Sequence, residues 1–191
     1  MIRIGKNFDL KYVEEKVGKY AECIFNEGKK METRGGIVEK VKNTLSLDEI
    51  KNLPIKDLKT DDAMLFMWIT FPMLEDAFDV IKSWGFTYKG VAFVWVKKNK
   101  CGSNFWGMGQ YTRSNAEVCL MAISKHTKAS KFIKSHRVHQ IIESVREAHS
   151  KKPDIVRDKI VELCGDISKI ELFARQSADG WDRWGLEAPD D

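Results

Sequence analysis

The sequence has few of the residues that build a disulfide framework or a zinc site. It has four cysteines in 191 residues, Cys23, Cys101, Cys119 and Cys164, and no two of them form a C-x-x-C pair. Neither a structural zinc ion nor a dense set of disulfides is expected, and a reducing compartment fits best. Cys119 and Cys164 lie inside apolar stretches, which predicts core residues rather than nucleophiles.

Long hydrophobic runs and linkers are also missing. The longest apolar runs, near residues 63–69 and 91–96, have the length of a strand, and residues 1–6 lack the apolar segment of a signal peptide. We therefore expect neither secretion nor a membrane partner, and a cytoplasmic location, or a nuclear one in a eukaryote. The chain has only four prolines and no internal repeat or Ser-rich linker, which predicts one domain over residues 1–191.

Three common catalytic motifs are absent. The sequence contains no G-x-G-x-x-G, no P-loop and no G-x-S-x-G, which excludes the common dinucleotide-binding, phosphoryl-transfer and serine-hydrolase classes. A net charge of +4 is too small to indicate a nucleic-acid partner without a local concentration of cations.

Strand and helix patterns alternate along the chain. Continuous apolar runs at 63–69, 91–96 and 117–124 predict strands buried on both faces, and weaker strands are predicted at 20–26, 138–145 and 169–174. Helices are predicted from a capping box at residues 46–49, at about 73–83, and after Pro153. This order predicts an α/β three-layer sandwich with a mostly parallel central sheet, whose ligands bind at the carboxyl ends of the strands.

A loop at residues 98–113 combines three glycines with exposed-type aromatic residues. Phe105, Trp106 and Tyr111 lie there beside Arg113, and flat rings next to a cation are what stacking an unpaired base requires. The same rings could instead fold back on the edge of the sheet or form a subunit interface, so the pattern alone leaves these alternatives open.

The stretch from residue 118 to 142 contains no acidic residue. Cations recur in it at every third position, which predicts a surface that follows phosphates or, more simply, a solvated face. These cations are Lys125, Lys128, Lys131, Lys134 and Arg137. Three histidines in the same stretch lack the carboxylate companions of a metal site, so no metal is expected.

Several segments, in order, carry a family resemblance. They include LFMWIT at 65–70, VWVK at 94–97, TRSNAE at 112–117, HSKKPD at 149–154, ELFAR at 171–175 and GWDRWG at 180–185. Together they resemble the adenine N6-methyltransferase family that includes the mRNA adenosine methyltransferase and its bacterial and phage relatives. The resemblance extends over a core of about residues 20–187 and leaves 1–19 as an N-terminal extension.

The resemblance implies a Rossmann-like domain that binds S-adenosylmethionine and methylates the exocyclic amine of adenine in DNA or RNA. By position in the family's motifs, the cofactor-binding residues would be Ser150, Lys152, Pro153, Phe173, Arg175 and Glu187. Substrate contacts would come from Lys29, Phe105, Trp106, Tyr111, Arg113, Asn115 and the five cations of the acid-free stretch.

The sequence departs from the family at its catalytic loop. The family's Asp-Pro-Pro-Trp is replaced by Asn26-Glu27-Gly28-Lys29, which removes the charged acceptor, the two stiff prolines and the stacking ring. Leu186 also stands where the family has an amide that helps to hold the cofactor ribose. These losses predict a catalytically degenerate nucleic-acid-binding or partner subunit, in a homo-oligomer or with a related methyltransferase subunit.

Two alternatives remain open. In an active N6-adenine methyltransferase, Asn26 with a backbone carbonyl, or Glu27 from one residue further along, would accept the amine hydrogens. In a protein-interaction module, the sheet edges and the aromatic loop would bind a protein and no nucleic acid.

Overall fold

The computed structural model describes residues 45–109, 111–147 and 151–185. Their helices are α1 (Leu47–Lys51), α2 (Ile55–Leu58), α3 (Leu74–Ser83) and α4 (Ile155–Cys164), with short 3-10 turns at Phe71–Met73 and Ala129–Lys131. The strands are β1 (Met64–Ile69), β2 (Phe86–Lys98), β3 (Ala116–Ser124), β4 (Ile141–Val145), β5 (Ile170–Leu172) and β6 (Asp182–Trp184). The predicted strand at 20–26 lies outside the described residues.

Four of the strands form one sheet in the order β1-β3-β2-β4, and β5 pairs with β6 in parallel. Strand β3 runs antiparallel to both β1 and β2, while β4 runs parallel to β2. The predicted α/β sheet of Rossmann-like type is confirmed, and its described part is mixed, with parallel and antiparallel pairs. Strands β1 and β3 are buried on both faces, as their apolar runs predict, whereas the run at 91–96 in β2 is fully buried only at Phe93 and Trp95. Such runs do not determine strand direction.

Two hydrophobic cores cover the two faces of the sheet. Helices α1, α2 and α3 pack on one face, against Leu65, Met67 and Leu120. Helix α4 packs on the other face, where Val156 and Ile160 meet Phe66 and Phe93. Helices on both faces give the three layers that the sequence predicts.

Local signals in the sequence explain where the helices begin and end. The hydroxyl of Ser46 accepts from the backbone N–H of Glu49, whose carboxylate accepts from the N–H of Ser46, so the predicted capping box starts α1. Gly85 follows α3 with φ 78°, a left-handed conformation that favours glycine. Among the described helices, none is both long and apolar enough to cross a bilayer.

Candidate active site at the carboxyl ends of β1, β2 and β4

The ends of four strands meet at one edge of the sheet. Because Ile69 pairs with Val118, Val96 pairs with Ala116, and Lys98 pairs with Val145, the carboxyl ends of β1, β2 and β4 lie beside the start of β3. We call this the carboxyl edge. The segment before α4 also reaches it, since Lys152 contacts β3 there.

A buried carboxylate shared by two lysines lies at this edge. Lys97 Nζ and Lys152 Nζ each lie 2.6 Å from one oxygen of Glu117, whose residue surface is only 6% exposed. The lysine side chains keep 20% and 27% of their surface accessible, so both reach solvent. The three groups thus join β2, β3 and the segment before α4.

Electrostatics keeps this carboxylate ionised. Burial raises the pKa of Glu117, but the charges and hydrogen bonds of Lys152 and Lys97 outweigh it and hold the pKa below its usual value. Two ammonium groups around one carboxylate leave one positive charge in excess within the group. The cluster is therefore suited to an additional anion.

Two indole rings line the same face of the sheet. Trp95 and Trp68 meet edge to face with ring centroids 6.5 Å apart, and Lys97 Nζ lies 5.1 Å from the centroid of the Trp95 ring. Trp95 is buried, whereas Trp68 is only partly so. The two indole rings thus lie beside the charged cluster and reduce the contact of its side chains with water.

Asn115 attaches the long loop at residues 99–114 to the end of β2. Its Oδ1 accepts from the backbone N–H of Lys97 at 2.9 Å, and its Nδ2 donates to the carbonyls of Lys97, at 3.1 Å, and of Phe105. Asn115 was predicted to contact substrate, and the structure gives its amide three backbone partners. Arg113 also stabilises the loop, because its Nε donates to the carbonyl of Gly107 at 3.2 Å.

The predicted aromatic residues of this loop differ in their surroundings. Phe105 is half-buried and packs under the guanidinium of Arg146, 4.1 Å from its ring centroid. Trp106 is 54% exposed and Tyr111 is 91% exposed. Phe105 therefore folds back on the protein, as one alternative predicted, while Trp106 and Tyr111 are largely exposed in the loop between β2 and β3.

The predicted cofactor residues that the structure describes lie at or near this edge. Pro153 is buried beside Lys152, and Phe173 packs edge to face on Trp184 with centroids 5.2 Å apart. Phe173 has φ 59°, an uncommon conformation for a non-glycine residue, so the chain turns sharply before Arg175. Five other predicted site residues, Asn26, Glu27, Lys29, Ser150 and Glu187, lie outside the described residues.

An ion-pair network fixes these two segments relative to each other. The Arg157 guanidinium lies 2.6 Å from Asp154 and 2.7 Å from Glu171 of β5, and Gln176 donates to Asp154 at 2.7 Å. Burial lowers the pKa of Arg157, but Glu171 and Asp154 outweigh it, so the net pKa is raised. The network joins the start of α4 to the chain around Arg175.

The five predicted cations lie elsewhere. They follow Ser124, whose N–H donates to the carbonyl of Ala63 at the start of β1. Because β3 is antiparallel to its neighbours, residues 125–134 leave the sheet at the edge opposite to Glu117. These residues therefore lie away from the carboxyl edge, and the binding of nucleic acid by the five cations stays a prediction.

Sequence reasoning missed three groups at the site: Lys97, Glu117 and Arg146. One signal was available, because Glu117 is a carboxylate next to a strand that is otherwise apolar, and such a charge needs a buried partner. Its partners were not predictable, since Lys152 is 35 residues away.

The expectation for Cys119 and Cys164 is confirmed, as both are buried, which raises the thiol pKa to about 12 and about 11. The described residues contain no group of three metal-ligating side chains.

Comparison with known proteins connects this geometry to a family. The sequence profile of MT-A70 matches residues 27–187. The type II methyltransferase M.MunI of Mycoplasma sp is 40% identical over 147 residues, which cover 77% of this chain and 60% of that protein. The human N(6)-adenosine-methyltransferase catalytic subunit METTL3 is 31% identical over 135 residues, which cover 69% of this chain and 22% of that protein.

A third relative is matched over a similar length of this chain. The N6-methyladenosine RNA methyltransferase MTA1 of Pyricularia oryzae is 27% identical over 143 residues, 71% of this chain and 37% of that protein. This chain thus spans less than two thirds of these relatives. The profile match includes the whole carboxyl edge, from Trp68 to Arg175. The chain belongs to the MT-A70 family, whose members are N6-adenine methyltransferase-like proteins.

Proposed function

We propose that the chain transfers a methyl group from S-adenosylmethionine to the N6 amine of adenine in DNA or RNA, at the carboxyl edge. The observation that carries this proposal is the buried Glu117 shared by Lys97 and Lys152, at the edge where α/β sheets bind their ligands. A buried, ionised carboxylate with an excess of positive charge around it is costly to maintain and is typical of a functional site.

The donor set at this edge fits the cofactor that MT-A70 methyltransferases use. The methionine part of S-adenosylmethionine carries a carboxylate and an ammonium group. Lys152 would hold the carboxylate, and Glu117 would accept from a cationic or amine group. Phe173 and Pro153 would cover the adenosine part with apolar surface.

The cofactor supplies a methyl group on a positively charged sulfur. The protein must bring the weakly nucleophilic amine into line with it and keep water away. Trp68 and Trp95 exclude water from one side, and the loop held by Asn115 presents Trp106 to a base. As the bond between N6 and the methyl carbon forms, the methyl–sulfur bond would break with its electron pair left on sulfur, and N6 would lose one proton to a nearby acceptor or to solvent.

A degenerate partner subunit is the second candidate. The replacement of Asp-Pro-Pro-Trp by Asn26-Glu27-Gly28-Lys29, and Leu186 near the end, are the observations that favour it. In that case the chain would bind nucleic acid or a related methyltransferase subunit and transfer no methyl group. Cytoplasmic or nuclear location remains part of either proposal.

Methyl incorporation separates the two candidates. Purified protein is incubated with labelled S-adenosylmethionine and adenine-containing DNA or RNA, next to Asn26→Ala, Asn26→Asp and Glu27→Ala variants. The family's Asp-Pro-Pro-Trp has an acidic residue followed three positions later by an aromatic one, and Glu22 and Phe25 have this spacing. Glu22→Ala is therefore included. Incorporation that one alanine variant abolishes supports the enzyme and identifies its acceptor. No incorporation by the parent or by Asn26→Asp, despite bound cofactor, supports the degenerate subunit.

A further inference from the structure

A basic cleft lies on the α4 face of the sheet, away from Glu117. It has a volume of about 790 Å³ and is lined by Ser135, His136, Arg137, Val138, His139, Lys159 and Glu162. We call it the α4 cleft. Among its lining residues are two permanent cations, two histidines and one carboxylate, so its charge balance favours an anion. Arg137 and both histidines are exposed.

The wall of this cleft is held in place at both of its ends. On one side Phe132 is buried with only 2% exposure, and the backbone N–H of Lys134 donates to the carbonyl of Leu163 in α4 at 2.7 Å. On the other side Gln140 accepts from the N–H of Val94 at 2.9 Å and donates to the carbonyl of Val91 at 2.7 Å. Arg137 thus projects from an anchored segment and Lys159 from helix α4, which lowers the entropy lost when they bind a ligand.

Helix α4 connects this cleft to the candidate active site. It begins three residues after Lys152, which contacts Glu117, and its last turn contacts the segment that lines the cleft. The two α4 residues that line the cleft, Lys159 and Glu162, lie four and seven residues after the start of the helix, about 6 to 10 Å along its axis.

We propose that the α4 cleft binds the phosphate backbone of the nucleic-acid substrate near the target adenine. This inference rests on the proposed function for the identity of the substrate, but not for the anionic character of the ligand. Arg137 and Lys159 pair with phosphate oxygens, and Glu162 opposes them. The contacts carry no base specificity and add affinity that depends on salt.

Binding measured without S-adenosylmethionine tests the cleft separately from catalysis. A labelled 20-base-pair DNA duplex is titrated at several salt concentrations with the parent protein, Arg137→Gln, Lys159→Gln and the double variant. Removing two phosphate contacts lowers the magnitude of the slope of log affinity against log salt by about 1.8. We expect the affinity of the double variant to fall by roughly tenfold or more at low salt.

Two further variants control for charge and for folding. Lys82→Gln removes one cation from α3, on the opposite face of the sheet, and should leave affinity and slope unchanged. Glu162→Gln removes the one carboxylate of the cleft lining, and should raise the affinity a few-fold. A gain of affinity cannot come from misfolding, so this variant keeps the test valid if the arginine and lysine variants are unstable.

Each outcome decides the proposal. The proposal for the α4 cleft is overturned if the double variant keeps the affinity and slope of the parent, or if Lys82→Gln loses as much affinity. If the same preparations still methylate adenine, the proposed function stands without the cleft. A parent protein that binds no duplex and no single strand of the same sequence overturns both. Ethylation of the phosphates that the cleft contacts should interfere with binding by the parent and not with binding by the double variant.

Discussion

Lys152 Nζ lies 2.6 Å from Glu117 Oε2, and this contact joins the segment before α4 to the beginning of β3. Lys97 reaches the other oxygen of the same carboxylate from β2. Three segments that are distant in the sequence are therefore held together by one buried side chain. Substitutions of Glu117 and of Lys152 can separate what these contacts contribute to stability from what they contribute to activity.

Glu117→Gln should destabilise the protein in a pH-dependent way. At pH 7 we expect a loss of about 1–3 kcal/mol in the free energy of unfolding, because hydrogen bonds to an ionised group are exchanged for weaker ones. The folded-state pKa of Glu117 lies below its unfolded value, so its ionic stabilisation is present above about pH 4–5 and disappears as the pH falls through the folded pKa.

Urea unfolding of both proteins from pH 3 to pH 8 checks this. The two curves of stability against pH should converge on the acid side and run apart above pH 5. A constant difference across the whole range would mean that Glu117 contributes by packing alone.

Lys152→Met should weaken the binding of S-adenosylmethionine. The substitution keeps most of the length of the side chain but removes the charge that would pair with the methionine carboxylate. We expect the KM for the cofactor, or its Kd by calorimetry, to rise roughly tenfold, as for the loss of one charge-assisted hydrogen bond.

The neighbouring lysine provides a matched control. Lys151 pairs with Glu147 and Asp154 instead of Glu117, so Lys151→Met should leave the cofactor Kd nearly unchanged. Equal effects of the two substitutions would argue against a specific part for Lys152.

The sequence predicted most of this fold from local patterns. The capping box at Ser46, the helix that ends before Gly85 and the buried strands are confirmed within a few residues, because each depends on side chains close together in the chain. The direction of β3 was not predictable, since apolar runs look alike in parallel and antiparallel strands. That direction moves the cations after Ser124 away from the carboxyl edge.

The site was predicted less completely for a similar reason. Lys152, Pro153 and Phe173 were identified through a family resemblance, and the structure brings them to one edge. The long-range partners of Glu117 and the stacking of Arg146 on Phe105 depend on tertiary packing, which no local pattern encodes.

Asn115→Ala should loosen the loop at residues 99–114 without unfolding the sheet. The amide has three backbone partners, two on Lys97 and one on Phe105, and alanine leaves them to water. We expect the loop amides to exchange hydrogen faster by tenfold or more, corresponding to about 1–3 kcal/mol. Amides in the middle of β3 serve as the internal reference and should keep their protection.

Trp106→Ala should lower the affinity for single-stranded nucleic acid, because its ring is 54% exposed and available for stacking on a base. Base–aromatic stacking contributes about 1–3 kcal/mol per base, which predicts a rise in Kd of roughly 5- to 150-fold. The melting temperature should change little, since an exposed ring contributes little to the core. Phe105→Ala is the informative comparison: its ring lies under Arg146, so it should lower stability as well as affinity. If fluorescence anisotropy gives the same Kd for Trp106→Ala and the parent, and the variant instead alters self-association, the exposed ring belongs to a protein interface.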